Sequence, residues 1–181
     1  MRRAKHRRRA GFTLAEILVV VVILGIAGAI IVPQISSRDD LKAAAAARMI
    51  MADLIYAQNL AITQQQNRYV LFDLDNRRYS VVAPDMTVLT HPVTKSAYTV
   101  TYGAGGQSGL REMSLVSAVF TAQNGSTSAK IGFDELGTPL VYLDGPTSVM
   151  TSGTIVVQTG RFRLNITIEA YTGLISVSPA N

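Results

Sequence analysis

Apolar residues fill positions 17–32 almost without interruption, the run stops at Pro33, and polar positions recur regularly only after it. With Phe12-Thr13-Leu14-Ala15-Glu16 in front, the pattern predicts a helix over 12–32, about 31 Å long and close to the hydrocarbon thickness of a bilayer. From residue 40 to about 65 the chain is rich in Ala, Leu, Met and Gln and lacks Gly and Pro, which predicts a second helical stretch outside the membrane. Ala47, Ile50, Leu54, Ala57 and Ala61 step by three and four along one face, while Arg48, Gln58, Asn59 and Gln65 lie largely elsewhere. Such a stripe requires a sheet to cover.

From Arg68 the period falls to two. Tyr69-Val70-Leu71-Phe72 and Tyr79-Ser80-Val81-Val82 flank Asp75-Asn76, a hairpin signal. Further short strands are expected at 87–89, 98–102, 117–121, 130–133, 140–143, 154–158, 163–168 and 174–177, separated by Gly, Pro, Asn and Asp. The expected fold is α+β: a long N-terminal helix, membrane-spanning in its first half and amphipathic in its second, packed on an antiparallel head of two sheets. The expected divisions are 1–11 as a basic leader, 12–33 as the spanning helix, 34–66 as its amphipathic continuation and 67–181 as the head. The glycine-rich segments 103–109 and 145–153 are the expected mobile loops.

Charge sharpens the picture at one residue. Glu16 lies inside a membrane-length apolar run, where a carboxylate costs about 2.5 to 3.5 kcal/mol on the mildest insertion scale and so has a partner or a task. A cut between Gly11 and Phe12 would create an ammonium at Phe12, one helical turn from Glu16 on the same face. Within one chain that pair neutralises the terminus; between chains it sets the axial register of one apolar helix against the next.

The net charge of +5 belongs to the leader. Six of the 17 basic residues (Arg2, Arg3, Lys5, Arg7, Arg8 and Arg9) precede Gly11, leaving eleven against twelve acidic ones. The bulk positive charge is therefore a topology signal, placing the N-terminus in the cytoplasm and the head outside, and not a nucleic-acid signal. On the far side Arg38, Asp39, Asp40 and Lys42 sum to zero, in agreement. The chain beyond the spanning helix is long enough for one domain with its own core. The absence of cysteine excludes disulfides, thiolate zinc sites and cysteine nucleophiles.

Arg9-Ala10-Gly11-Phe12-Thr13-Leu14-Ala15-Glu16, the apolar run and Pro33 resemble the class III leader and helix start of type IV pilins and type II secretion pseudopilins. The resemblance implies cleavage after Gly11 by an integral-membrane prepilin peptidase and N-methylation of Phe12. It further implies pairing of Glu16 with a neighbour's Phe12 terminus and a helix kink at Pro33. The implied partners are other pilin or pseudopilin subunits, the lipid bilayer and a membrane assembly platform; no cofactor, metal or enzymatic activity is implied. Ala15 departs from the family, which usually has a larger apolar residue there. Many major type IV pilins staple a C-terminal loop with a disulfide, so a cysteine-free chain points to a pseudopilin or minor pilin. Ala47-Arg48 with Leu54, Ala57 and Ala61, then Val70-Leu71-Phe72-Asp73 and Tyr79-Ser80-Val81, are similar to the minor subunits of the GspH/FimT class. So are Ile131-Gly132-Phe133 with Gly137-Thr138-Pro139, and the closing hairpin from Arg161-Phe162-Arg163-Leu164 to Thr172-Gly173-Leu174-Ile175-Ser176-Val177.

Other readings of the same segment stay open. Ala27-Gly28-Ala29 would serve as the cleavage site of an ordinary secretory signal, giving an exported β-rich protein. Arg8-Arg9 is a weak twin-arginine signal, and an uncleaved anchor with Glu16 snorkelling to the interface would share the topology without the polymer. Some FimT-type minor pilins act in DNA uptake through a Gly-Arg-x-Arg stretch, and Gly160-Arg161-Phe162-Arg163 would set two guanidiniums on one strand face toward phosphates. Two arginines leave a thin electrostatic footprint, and they precede the last hairpin instead of lying at its Thr172-Gly173 turn.

Chemistry beyond assembly finds little to build on. His91 is the one histidine after the leader, next to Pro92 and without a paired nucleophile. Gly103-Ala104-Gly105-Gly106-Gln107-Ser108-Gly109 fits neither the dinucleotide nor the phosphate-loop spacing. Asp134, Glu135 and Asp144 fit no calcium-loop spacing and read as solvated loop carboxylates. Asn124-Gly125-Ser126 and Asn165-Ile166-Thr167 match the short glycosylation pattern.

Overall fold

The computed structural model describes residues 12–36, 39–106 and 109–180, with side chains of the first helix described as far as Gly28. The chain divides into two compact units, residues 1–38 and 39–181. Gly11 and the rest of the leader lie outside the described residues.

The first unit holds helix α1 (Leu14–Ser36), which continues three residues past Pro33. Thr13 caps it: the Thr13 Oγ1 accepts the backbone N–H of Glu16 at 3.2 Å, and the Thr13 carbonyl accepts those of Glu16 and Ile17. Orphan amides of the first turn are satisfied in this way.

The second unit opens with α2 (Asp39–Gln64). Asp39 and Asp40 in its first turn complement the helix dipole. It ends in a Schellman arrangement: Gln65 takes φ 49° and the Gln66 N–H returns to the Ala61 carbonyl at 3.2 Å. The apolar stripe faces the sheets as expected, and Ala47, Ile50, Leu54, Ala57 and Ala61 are fully buried, joined by Ala43 and Ala46. Five alanines on that face let the helix backbone lie close across the strands. Gln58, on the flank, donates its Nε2–H to the Gly137 carbonyl at 2.9 Å and ties the helix to a turn of the head.

The strands are β1 (Arg68–Asp73), β2 (Arg78–Val82), β3 (Thr99–Thr101), β4 (Met113–Ala122), β5 (Thr127–Ser128), β6 (Lys130–Phe133), β7 (Pro139–Tyr142), β8 (Thr147–Thr159), β9 (Phe162–Ile168) and β10 (Ile175–Pro179). All pairings are antiparallel, in two sheets. One runs β3-β2-β1-β6-β7-β8 and the other β5-β4-β8-β9-β10. The strand β8 belongs to both: residues 147–149 pair with β7, and the stretch from Gly153 to Thr159 pairs with β9. The core between sheets and helix is drawn wholly from residues 46–175 and includes Tyr79, Phe120, Phe133, Met150, Ile155 and Ile166.

Two expectations are corrected. The segment 87–89 makes one isolated bridge, Val88 to Val82, and not a regular strand. The supposed mobile loop 145–153 is strand from Thr147 onward. Gly153, read as a breaker, sits opposite Phe120 in the register at the bend where β8 passes between sheets. A Cβ there would meet the Phe120 ring at 3.0 Å and the Met150 sulfur at 2.9 Å, so glycine marks a close approach inside a strand. Gly153→Val should therefore destabilise the head by about 1 to 3 kcal/mol through overpacking. Urea unfolding would read this, and adding Met150→Ala should recover part of the loss.

Candidate functional site

Two groups of residues stand apart from ordinary packing. The first is α1 itself. Its described large apolar side chains, Leu14, Ile17 to Leu24 and Ile26, together with Phe12 just ahead of it, are each 47–84% exposed and cover every side of the helix. A helix apolar all round is a buried helix, either in a membrane or in a bundle of its own kind. Gly25 and Gly28 have open space where a Cβ would stand, which permits another helix to approach closely. Among the described residues no helix is long and apolar enough to cross a membrane; the described side chains of α1 end at Gly28.

Glu16 is exposed in the first turn of this helix. Its amide is held by Thr13, so Thr13-x-x-Glu16 is half of a capping box as well as the site of the unusual charge. That local duty is legible in the spacing of the two residues ahead of an apolar run. Phe12, next to the cap, is 77% exposed.

The second group joins α2 to the arm 83–98 between β2 and β3. Half-buried Asp53 accepts hydrogen bonds from the hydroxyls of Tyr79 at 2.6 Å and Tyr98 at 3.0 Å. Tyr56 and His91 pack against the Tyr98 ring, with centroids 5.5 and 4.5 Å away. Burial pushes the Asp53 carboxyl above its ordinary range, while the two tyrosine hydrogen bonds and the nearby His91 pull it down. Burial and the facing carboxylate push the Tyr79 and Tyr98 hydroxyls up. No nucleophile joins the cluster; the arrangement pins the arm to the helix. The His91 Nδ1 accepts the backbone N–H groups of Val93 and Thr94, at 3.1 and 3.2 Å, and so closes the turn that carries it. Sequence reasoning missed this cluster because Asp53 lies alone on a helix, 26 residues from the nearer tyrosine.

The remaining candidates fall in separate places. Arg161 lies in the two-residue turn between β8 and β9, and only Arg163 is on a strand, its Nε–H donated to the Gln158 Oε1 at 2.7 Å. Asp134 accepts the N–H groups of Leu136 and Thr138 to shape the β6–β7 turn, and Asp144 pairs with Lys130. Among the described residues no group of acidic and histidine side chains is set to hold a metal ion.

Comparison with known proteins agrees with this division of the chain. Residues 6–32 match the prokaryotic N-terminal methylation motif. Over 36 residues the chain is 61% identical to type II secretion system core protein G of Pseudomonas aeruginosa, a stretch that covers 20% of this chain and 25% of that protein. It is 30% identical over 102 residues to the protein of the same name from Aeromonas hydrophila, covering 56% of this chain and 64% of that one. The chain thus spans less than two thirds of the length of these curated relatives. The fold is similar to that of the minor pseudopilin EpsH from the type 2 secretion system of Vibrio cholerae, with a TM-score of 0.50 at 14% identity, over 76% of this chain and 97% of that one. The methylation motif overlaps the apolar helix α1, and the unit after it is a helix laid on two antiparallel sheets. The chain is thus similar to type II secretion pseudopilins in its N-terminal motif and part of its sequence, and to one of them in fold.

The Asp53 cluster yields a pH signature. Asp53 keeps its proton to higher pH in the folded than in the unfolded chain, so its contribution is fully present below the ordinary value of 3.8 and fades as pH rises through the raised one. Asp73 and Asp85 are held low by hydrogen bonds, from Asn76 and Thr87 respectively, and act in the opposite sense, losing their contribution as pH falls. Asp53→Asn should remove only the former slope, seen as a difference between thermal-unfolding curves of the two proteins across pH 3 to 7. Asp53→Ala, which strands two tyrosine hydroxyls, should cost about 1 to 3 kcal/mol.

Proposed function

We propose that this chain is a minor pseudopilin or minor pilin, a structural subunit of a type II secretion pseudopilus or type IV pilus and not an enzyme. The observation that carries this is α1: an all-round apolar helix with exposed large side chains that begins beside one exposed carboxylate and overlaps the methylation motif. In this reading the helix over 12–32 crosses the cytoplasmic membrane once, with the leader inside and the head outside. A prepilin peptidase cuts after Gly11, Phe12 becomes the N-methylated terminus, and Pro33, which removes one backbone donor, kinks the helix where it leaves the membrane.

The mechanism is mechanical. Lipid stores the subunit, and a membrane assembly platform exchanges lipid contacts for helix contacts with other pilin or pseudopilin subunits. Lipid tails are as apolar as a neighbouring helix, so apolar burial alone gives no preference for the fibre. Close packing at Gly25, Ala27, Gly28 and Ala29 and the ion pair from Glu16 to a neighbour's Phe12 ammonium supply it. That pair fixes axial register, because any other offset leaves a carboxylate unpaired in an apolar environment. The minor rather than core assignment is supported by the EpsH-like fold of the head.

Substitution at Glu16 tests the register pair. Glu16→Leu should be processed and retained in membranes but excluded from sheared filaments. Glu16→Gln separates the two duties of this residue, since glutamine suits a capping box equally well. It should leave helix content unchanged and still fail to assemble; normal incorporation of either variant would defeat the ion-pair account.

A further inference from the structure

The head carries a basic and aromatic turn at the one place where its distance from the membrane is set by chain length. Two residues separate Ser36, the end of α1, from Asp39, the start of α2, so three steps of 3.8 Å hold Asp39 within about 11 Å of the first helix in any arrangement of the two units. Inside the head the Asp39 carboxylate fills the space beside Gly160, where any Cβ would run into it, and Gly160 holds φ 57°. The β8–β9 turn is thereby fixed at the head's point of attachment.

That turn has the composition of a membrane-surface anchor. Phe162 is 49% exposed between Arg161 and Arg163, and Leu41, two residues into α2 from Asp39, is 61% exposed. Among the described residues neither guanidinium joins an ion pair. An aromatic ring flanked by cations matches the interface, where the ring sits at headgroup level and the cations meet lipid phosphates. Asp39 and Asp40 dilute the positive field at this end, so charge and ring must act together. We infer that the β8–β9 turn, through Arg161, Phe162 and Arg163, seats the base of the head on the anionic surface of the bilayer and holds the unassembled subunit at its membrane exit. The inference rests on the membrane-spanning reading of 12–32.

The chain contains no tryptophan, so Phe162→Trp introduces a single conservative probe. The full-length protein would be reconstituted in phosphatidylcholine vesicles with and without phosphatidylglycerol, and iodide quenching and emission wavelength recorded. With phosphatidylglycerol the probe should shift to the blue and lose iodide quenching. Adding Arg161→Gln and Arg163→Gln should lower the ratio of seated to free heads by about 25-fold at low salt, about fivefold for each arginine. Equal quenching in both vesicle types, or indifference to the arginines, would overturn the proposal. A separate Leu24→Trp protein, read with brominated lipids, keeps the two readings apart. Quenching of that protein, with the Phe162→Trp probe still exposed to water, defeats the seat alone; no quenching of it defeats the membrane span and the seat together. Shielding of the Phe162→Trp probe by a short DNA duplex but not by phosphatidylglycerol would make nucleic acid the ligand and overturn the membrane assignment.

Discussion

A helix whose large apolar side chains stand exposed is the constraint on which the rest depends. Each large apolar side chain of α1 would gain about 1.5 to 3 kcal/mol on being covered, and ten of those described, with Phe12 ahead of them, stand exposed. Together they exceed the roughly 5 to 15 kcal/mol that holds a typical domain folded. Such a segment in water would be covered by whatever apolar surface it met first, so it needs a bilayer or a bundle of similar helices. The assembly reading is a controlled version of that demand: lipid first, then neighbours, with Glu16 supplying the directional preference that apolar contact lacks.

The head has a core of its own. Among the described residues that core draws on 46–175, and α2 carries Asp39 and Asp40 in its first turn and closes its last turn with the Gln66 N–H on the Ala61 carbonyl. The alanine face brings the helix backbone close to both sheets, and β8 holds the sheets together by belonging to each. Pins at Gln58 and Asp53 then tie a turn and a long arm to the same helix.

Much of this was legible because it is periodic. The stripe from Ala47 to Ala61 faces the sheets as its spacing required, and the hairpin around Asp75-Asn76 forms between β1 and β2. What was not legible depends on contacts distant in sequence. The segment ending at Gly153 reads as a loop until Phe120 is placed across from that glycine, and nothing near Asp53 in sequence points to Tyr79 and Tyr98, which arrive from elsewhere in the chain. Arg161 and Arg163 look like neighbours on one strand face until the turn places one of them off the strand. At the helix start the difficulty was different in kind. Thr13 and Glu16 form a local cap that spacing alone reveals, masked by the more conspicuous cost of a charge in an apolar run.

The most direct test is the N-terminus and intact mass of the protein extracted from the membranes of its native host. A chain that starts at N-methylated Phe12 is the predicted result and makes the Phe12 ammonium, the partner required by Glu16, a physical fact. A chain that starts at Ile30, or that keeps its leader, contradicts the account, because the cation on which the register of the fibre depends would not exist.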